Sequence, residues 1–275
     1  FIYDKISKRI VDSIDLITAS IISKKLASGI TNLILDVKVG RGALMTNVTR
    51  AKKLAKSLVS VSNASNCKTR ALITNMDDPL SSAIGNALEV ETVVDVLLGK
   101  NKNEKALLDT TIALSVELYS MVYPEKSKME IKKKVCSLLD SGHVAERFEN
   151  MVSALGGPKD FLSTYKKVLP KTKHVIPVRA KKDGYITQID TKALGNILIK
   201  IGGGRQKASD NLNLSVGFTK VVKSNERVDA NEALLMLHYP DKSLPSSLEE
   251  EINNCFSISE RDLAQPINPI LEKIV

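Results

Sequence analysis

Two short apolar runs flank a helical pattern near the start of this chain, and that arrangement restricts its fold more than any other feature. Leu33-Ile34-Leu35-Asp36-Val37-Lys38-Val39 reads as a strand whose apolar beginning is covered on both faces. After Gly40 and Gly42, Thr46 or Asn47 is placed to cap a helix running to about residue 61, with Ala51, Leu54, Ala55, Leu58 and Val59 turned inward. Residues 69–74 repeat the strand pattern. Strand, helix and strand at this spacing form a βαβ unit, because parallel strands need a long crossover.

Upstream, residues 13–28 predict a helix with Asp12 or Ser13 as its cap and Gly29 as its stop. Ser20 and Lys24 lie four residues apart on one face, with Ile17 and Ile21 beside them. A hydroxyl and an ammonium on an apolar helical face can grip a small planar polar ligand. Ser and Lys also commonly occupy exposed helical positions without any role, so spacing alone leaves both readings open. The loop Val39-Gly40-Arg41-Gly42-Ala43 poses a similar choice between a turn and a backbone cradle for phosphate, and it lacks the Lys-Ser/Thr of a P-loop. Gly202-Gly203-Gly204-Arg205 is either a helix stop or an anion-binding turn.

Residues 79–168 are mainly helical, with 3.6-residue periodicity over 80–98, 104–119, 128–139 and 144–155. Residues 175–180 and 184–189 then read as a strand pair around Lys181-Lys182-Asp183-Gly184. A helix is expected over 190–201, followed by strands at 216–222 and 233–238. The fold class is α/β, with a smaller α+β region toward the C-terminus.

No apolar run approaches the ~20 residues a membrane span needs, and Asp4, Lys5, Lys8 and Arg9 interrupt any signal-peptide core. The net charge of +9, from 40 basic and 31 acidic residues, is densest at 132–134 and 166–182. Aromatic residues are only 4% with no Trp, so stacking platforms for single strands are scarce and a solvated lysine-rich surface is expected. Cys67, Cys136 and Cys255 form no CxxC pair and His143, His174 and His238 are scattered. Reduced thiols, a reducing compartment and no metal site are expected. GxSxG, HExxH and GxGxxG are all absent from the sequence.

Several segments in fixed order resemble the thymidine phosphorylase and pyrimidine nucleoside phosphorylase family. They are Val11-Asp12-Ser13-Ile14, Leu16-Ile17-Thr18-Ala19-Ser20-Ile21, Ser23-Lys24-Lys25-Leu26-Ala27, and Leu35-Asp36-Val37-Lys38-Val39-Gly40 with Gly42-Ala43 and Met45. The likeness continues at Thr74-Asn75-Met76-Asp77, Gly85-Asn86-Ala87-Leu88-Glu89-Val90, Gly202-Gly203-Gly204-Arg205, Ala208-Ser209-Asp210 and Ser215-Val216-Gly217-Phe218. The resemblance implies a helical pyrimidine-binding domain, here reduced to residues 1–28, then a central α/β domain over 29–168 and a C-terminal α+β region over 175–265.

The implied reaction turns a pyrimidine nucleoside of the thymidine or uridine type and orthophosphate into free base and pentose 1-phosphate. The implied base contacts are Ser20 and Lys24, within an apolar wall of Val11, Ile17 and Ile21. Lys24 is the implied catalytic group, stabilising negative charge on the departing base. Lys5 stands where the family has an Arg that also contacts the base, and a point charge replaces a planar fork there. The family's phosphate-binding segment lies upstream of the matched region, so no phosphate-binding residue is expected in this chain. Some relatives hold a monovalent cation near the segment matching residues 80–92, with a carboxylate where Thr92 stands, and no metal is expected here. The family further implies a cytoplasmic homodimer with no cofactor beyond orthophosphate, no membrane and no nucleic-acid partner. On this reading the chain is a C-terminal portion with little activity alone, and the alternative is a non-catalytic partner subunit that keeps the fold.

Overall fold

The computed structural model describes residues 13–262 and 268–275, and these form a mixed α/β fold. They divide into two compact units: residues 13–77 with Leu107–Cys136 and Asn268–Val275, and Asp78–Ala106 with residues 137–262.

The first unit is built on the expected βαβ element. Helix α1 (Ile14–Ala27) is capped by Ser13, whose side chain accepts from the Leu16 N–H at 3.3 Å. Strand β1 (Asn32–Val39) leads through the glycine turn to α2 (Val48–Ala64), capped by Asn47, and then to β2 (Lys68–Asn75). β1 and β2 are parallel in unbroken register from Asn32 opposite Lys68 to Val39 opposite Asn75. Ala51, Leu54, Ala55, Leu58 and Val59 of α2 pack with Val37, Val39, Ala71 and Ile73 and with Ile17 and Ile22 of α1 in one core. The expectation that both faces of β1 begin covered is corrected: Leu33, Ile34 and Leu35 are half-buried and Asp36 is exposed, so only one face enters that core.

An element the sequence does not announce completes the sheet. Strand β9 (Ile270–Ile274) pairs antiparallel with β2. Helix α4 (Lys105–Val122) carries Glu117, whose carboxylate gathers Arg70 from β2 at 3.0 Å, Lys273 from β9 at 3.2 Å and Lys128 from α5 (Lys128–Asp140). Burial alone pushes the Glu117 carboxyl up, but hydrogen bonds and charge from Lys128 and Lys273 outweigh it and hold it below the usual carboxylate range.

The second unit contains α3 (Asn86–Leu97), α6 (His143–Ala154) and α7 (Phe161–Val168), which meet around Val94, Phe161 and Tyr165. The helix expected from residue 80 starts only at Asn86. Ile84 instead pairs with Phe218 in an antiparallel bridge, and its N–H donates to the Phe218 carbonyl at 2.9 Å. A Cβ on Gly217 would strike the Ile84 carbonyl, so glycine permits this approach.

Strands β3 (His174–Arg179), β4 (Gly184–Ile189), β5 (Gly217–Thr219), β6 (Arg227–Val228), β7 (Ala233–Tyr239) and β8 (Phe256–Ser259) form two three-stranded sheets, ordered β3-β7-β5 and β6-β4-β8. The strand pair expected around Lys181-Lys182-Asp183-Gly184 is therefore corrected: β3 and β4 belong to different sheets. The turn switches sheets because Val178 and Ile186 both point into the shared core with Leu194, Phe218, Leu235 and Leu237. Helices α8 (Thr191–Lys200) and α9 (Ser246–Asn253) contribute Leu194, Ile197, Leu248 and Ile252 to that core.

Replacing Glu117 by Gln leaves Arg70, Lys128 and Lys273 around a neutral group, and unfolding at pH 7 should lose about 2 kcal/mol. Because the native carboxyl lies below its ordinary value of 4.5, its stabilisation is complete above that value and is lost as pH falls through the native one. Urea unfolding followed from pH 7 to pH 3 should show a steep loss in the wild type and a flatter one in Glu117→Gln.

Candidate active-site elements

Helix α1 shows two faces. Ile17 and Ile22 are buried and Ile14, Ile21 and Leu26 pack partly against the same core, whereas Ser20 and Lys24 stand exposed one turn apart. Among the described residues neither the Ser20 nor the Lys24 side chain has a hydrogen-bond or ion-pair partner. The geometry thus brings Ser20 and Lys24 together on the open side, while Ile17 and Ile21 form the flank that anchors the helix. Lys5 and Val11 lie outside the described residues.

The carboxyl ends of the parallel strands hold a polar cluster that sequence reasoning assigned no role. Asp36 of β1 accepts from the Thr74 hydroxyl of β2 and ion-pairs with Lys38 at 2.8 Å. Asp36 and Lys38 are two apart on one strand and share a face, and Thr74 sits opposite Lys38 in the ladder. The polar pair within an otherwise apolar run was the available signal. Lys38 Nζ is occluded from solvent and lies 2.8 Å from Asp36 Oδ2.

Beyond Val39 the glycine loop is fully engaged with itself. Gly40 N–H donates to the Met45 carbonyl at 3.0 Å, Arg41 N–H to Asp77 Oδ1 at 2.9 Å, Gly42 N–H to Met76 O at 3.3 Å and Ala43 N–H to Gly40 O at 3.1 Å. Four successive amides have protein partners, so the turn reading holds over the phosphate cradle. Gly40 has φ 137° and a Cβ there would lie 2.8 Å from the Asp77 nitrogen, which is why this position is glycine. The Arg41 side chain is exposed beside Asp77, with Nε 3.5 Å from Oδ1, and does not crowd the turn. Leu44 at the loop tip is left exposed.

In the second unit Gly202-Gly203-Gly204 ends α8, with the Gly203 N–H on Leu198 O at 2.8 Å. Gly203 O in turn accepts from the Asn86 side chain at 2.9 Å. Asp210 Oδ2 takes the N–H groups of Gln206 and Lys207 at 2.9 and 2.8 Å, so this loop also satisfies itself.

The segment that the resemblance associates with a monovalent cation carries the protein's own. Lys223 Nζ donates to the carbonyls of Pro79 and Ser81, and Glu104 accepts from the Ser82 N–H and hydroxyl. Burial lowers the Lys223 pKa, against the opposing pull of Glu104, Asp78 and Glu226. Thr92 turns its hydroxyl back to Leu88 O at 3.0 Å. Among the described residues no three His, Cys, Asp or Glu side chains converge as metal ligands.

Comparison with known proteins places these features in a class. The model of the glycosyl transferase family, a/b domain, matches residues 5–145, just over half of the chain. The pyrimidine nucleoside phosphorylase C-terminal domain matches residues 185–259. A thymidine phosphorylase from Burkholderia lata is 39% identical over 256 residues, which cover 93% of this chain and 58% of that relative. The chain belongs to the pyrimidine nucleoside phosphorylase family of glycosyl transferases. It spans little more than half the length of the curated relative it matches.

Asp77→Ala removes the acceptor of the Arg41 amide. Amide hydrogen exchange at Arg41 should then speed at least about tenfold, while Val37 and Val39 in the ladder keep their protection. Equal protection of Arg41 in both proteins would show that Asp77 does not fasten the loop.

Proposed function

We propose that this chain forms the base-gripping part of a pyrimidine nucleoside phosphorylase, which transfers a pentosyl group from a thymidine- or uridine-type nucleoside to orthophosphate. The observation that carries this reading is the open Ser20–Lys24 pair, one helical turn apart, at positions that match the family's base contacts. Val11 and Ile21 belong to the same reading as the apolar surround, with Ile17 buried in the core, and Lys5 as a weaker third contact in place of Arg.

As the glycosidic bond breaks, the pyrimidine takes up the bonding electrons and the sugar becomes electron-poor. Lys24 places an ammonium where negative charge develops, so its attraction grows toward the transition state. Ser20 donates to or accepts from the ring edge and fixes its orientation. Orthophosphate forms the new bond to the anomeric carbon from the opposite side. The resemblance assigns the residues that hold it to a segment upstream of the matched region. The free thiols Cys67, Cys136 and Cys255 suit the reducing, cytoplasmic setting that belongs to this reading, as does the family's homodimer.

Calorimetric titration of the chain with uracil and with thymine is the direct test. The wild type should bind one of them, and Lys24→Ala should weaken binding about tenfold, the worth of one charge-assisted hydrogen bond. Equal base affinity in Lys24→Ala would overturn the assignment.

A further inference from the structure

A cavity of about 440 Å³ lies on the second unit, on the side of the β6-β4-β8 sheet, lined by Lys181, Lys182, Leu234, Asn253, Asn254 and the Phe256–Ile258 stretch. Its volume falls within the range typical of small-molecule sites. Its walls differ in chemistry. Leu234 and Phe256 are buried and give an apolar floor, with Ile258 half-buried beside them. Lys181 and Lys182 are exposed in the turn between β3 and β4, and among the described residues neither has an ion-pair partner. A third part of the lining is the C-terminal turn of α9. There Asn253 uses its side-chain N–H on Glu249 O at 3.1 Å, which leaves its Oδ1 as an acceptor.

Each wall selects a different part of a ligand. Two adjacent uncompensated ammonium groups favour a dianion, and lysine suits phosphate as a point charge. The apolar floor, with a phenyl ring in it, favours a flat ring over a bare ion. The helix C-terminus carries partial negative charge and disfavours the phosphate on that side, so the ligand's orientation is set. Asn253 and Asn254 supply both amide donors and acceptors, the complement of a nucleobase edge. Inorganic phosphate satisfies one wall only, and a neutral nucleoside the other two.

We propose that this cavity is a binding site for a nucleoside 5′-monophosphate, with phosphate on Lys181 and Lys182, the base over Leu234 and Phe256, and its edge toward Asn253 and Asn254. The site is separate from Ser20 and Lys24 and stands whether or not the phosphorylase reading does. It would let the C-terminal region sense phosphorylated nucleosides.

The test is a titration of the chain with uridine 5′-monophosphate, followed by amide chemical shifts. Saturable shifts should cluster at residues 181–183 and 254–258. Lys181→Ala combined with Lys182→Ala should weaken binding about tenfold or more. Because both lysines are exposed, the thermal unfolding midpoint should not move. Uridine and orthophosphate should each shift residues 181–183 and 254–258 more weakly than the monophosphate, and Lys24→Ala should leave the shifts at those residues as in the wild type. The proposal is overturned if residues 181–183 and 254–258 show no saturable shift, if those shifts persist with equal affinity in the double variant, or if orthophosphate alone matches the monophosphate there.

Discussion

Eight residues of β1 run parallel to eight of β2 without a break in register, and the first unit is arranged around that ladder. The crossover through α2 puts one helix over one face of the sheet, where five of its apolar side chains meet Val37, Val39, Ala71 and Ile73. The same ladder brings Val39 and Asn75 out side by side. The turn after β1 and the segment after β2 therefore lace together, with Met76 N–H on Val39 O and Arg41 N–H on Asp77. Shifting β2 by one residue would turn Thr74 away from Asp36 and bury Arg70 in the α2 core.

Charge is handled by gathering cations onto few carboxylates. Glu117 serves Arg70, Lys128 and Lys273, which come from three elements well separated in sequence. In the second unit Lys223 is the centre instead, holding two carbonyls while Asp78 takes the Ser224 N–H at 3.0 Å. Both arrangements keep a buried charge partnered, which is the condition for tolerating it at all. The large positive excess stays on the surface, where Lys181 and Lys182 are part of it.

Helix α1 divides its residues by the same economy of burial. Its isoleucines go inward and hold it to the core beside α2, while the hydroxyl and ammonium of Ser20 and Lys24 remain on the outside. A rigid anchor beneath an open polar pair suits a site that must orient a ligand, because the backbone carrying the pair is fixed by packing. The glycine loop beside β1 contributes shape rather than donors, since its amides are already used.

The βαβ element was legible in the residues themselves, because strand and helix periods there are local and the caps Ser13 and Asn47 are the ones the rules favour. So were the helix over Thr191–Lys200 and the positions of Ser20 and Lys24 on one face, which need only the helical repeat. Pairing partners were not legible. Nothing near residues 270–274 indicates that they will lie against β2, and the Lys-Lys-Asp-Gly turn looks like a hairpin although its strands enter separate sheets. Glu117 reads as an ordinary surface acid until the fold brings cations from distant segments onto it, and Asp36 meets the Thr74 hydroxyl only across the ladder. Local pattern depends on neighbours within a few residues, whereas strand pairing, charge clusters and cavities depend on side chains that meet only after the chain has closed long loops.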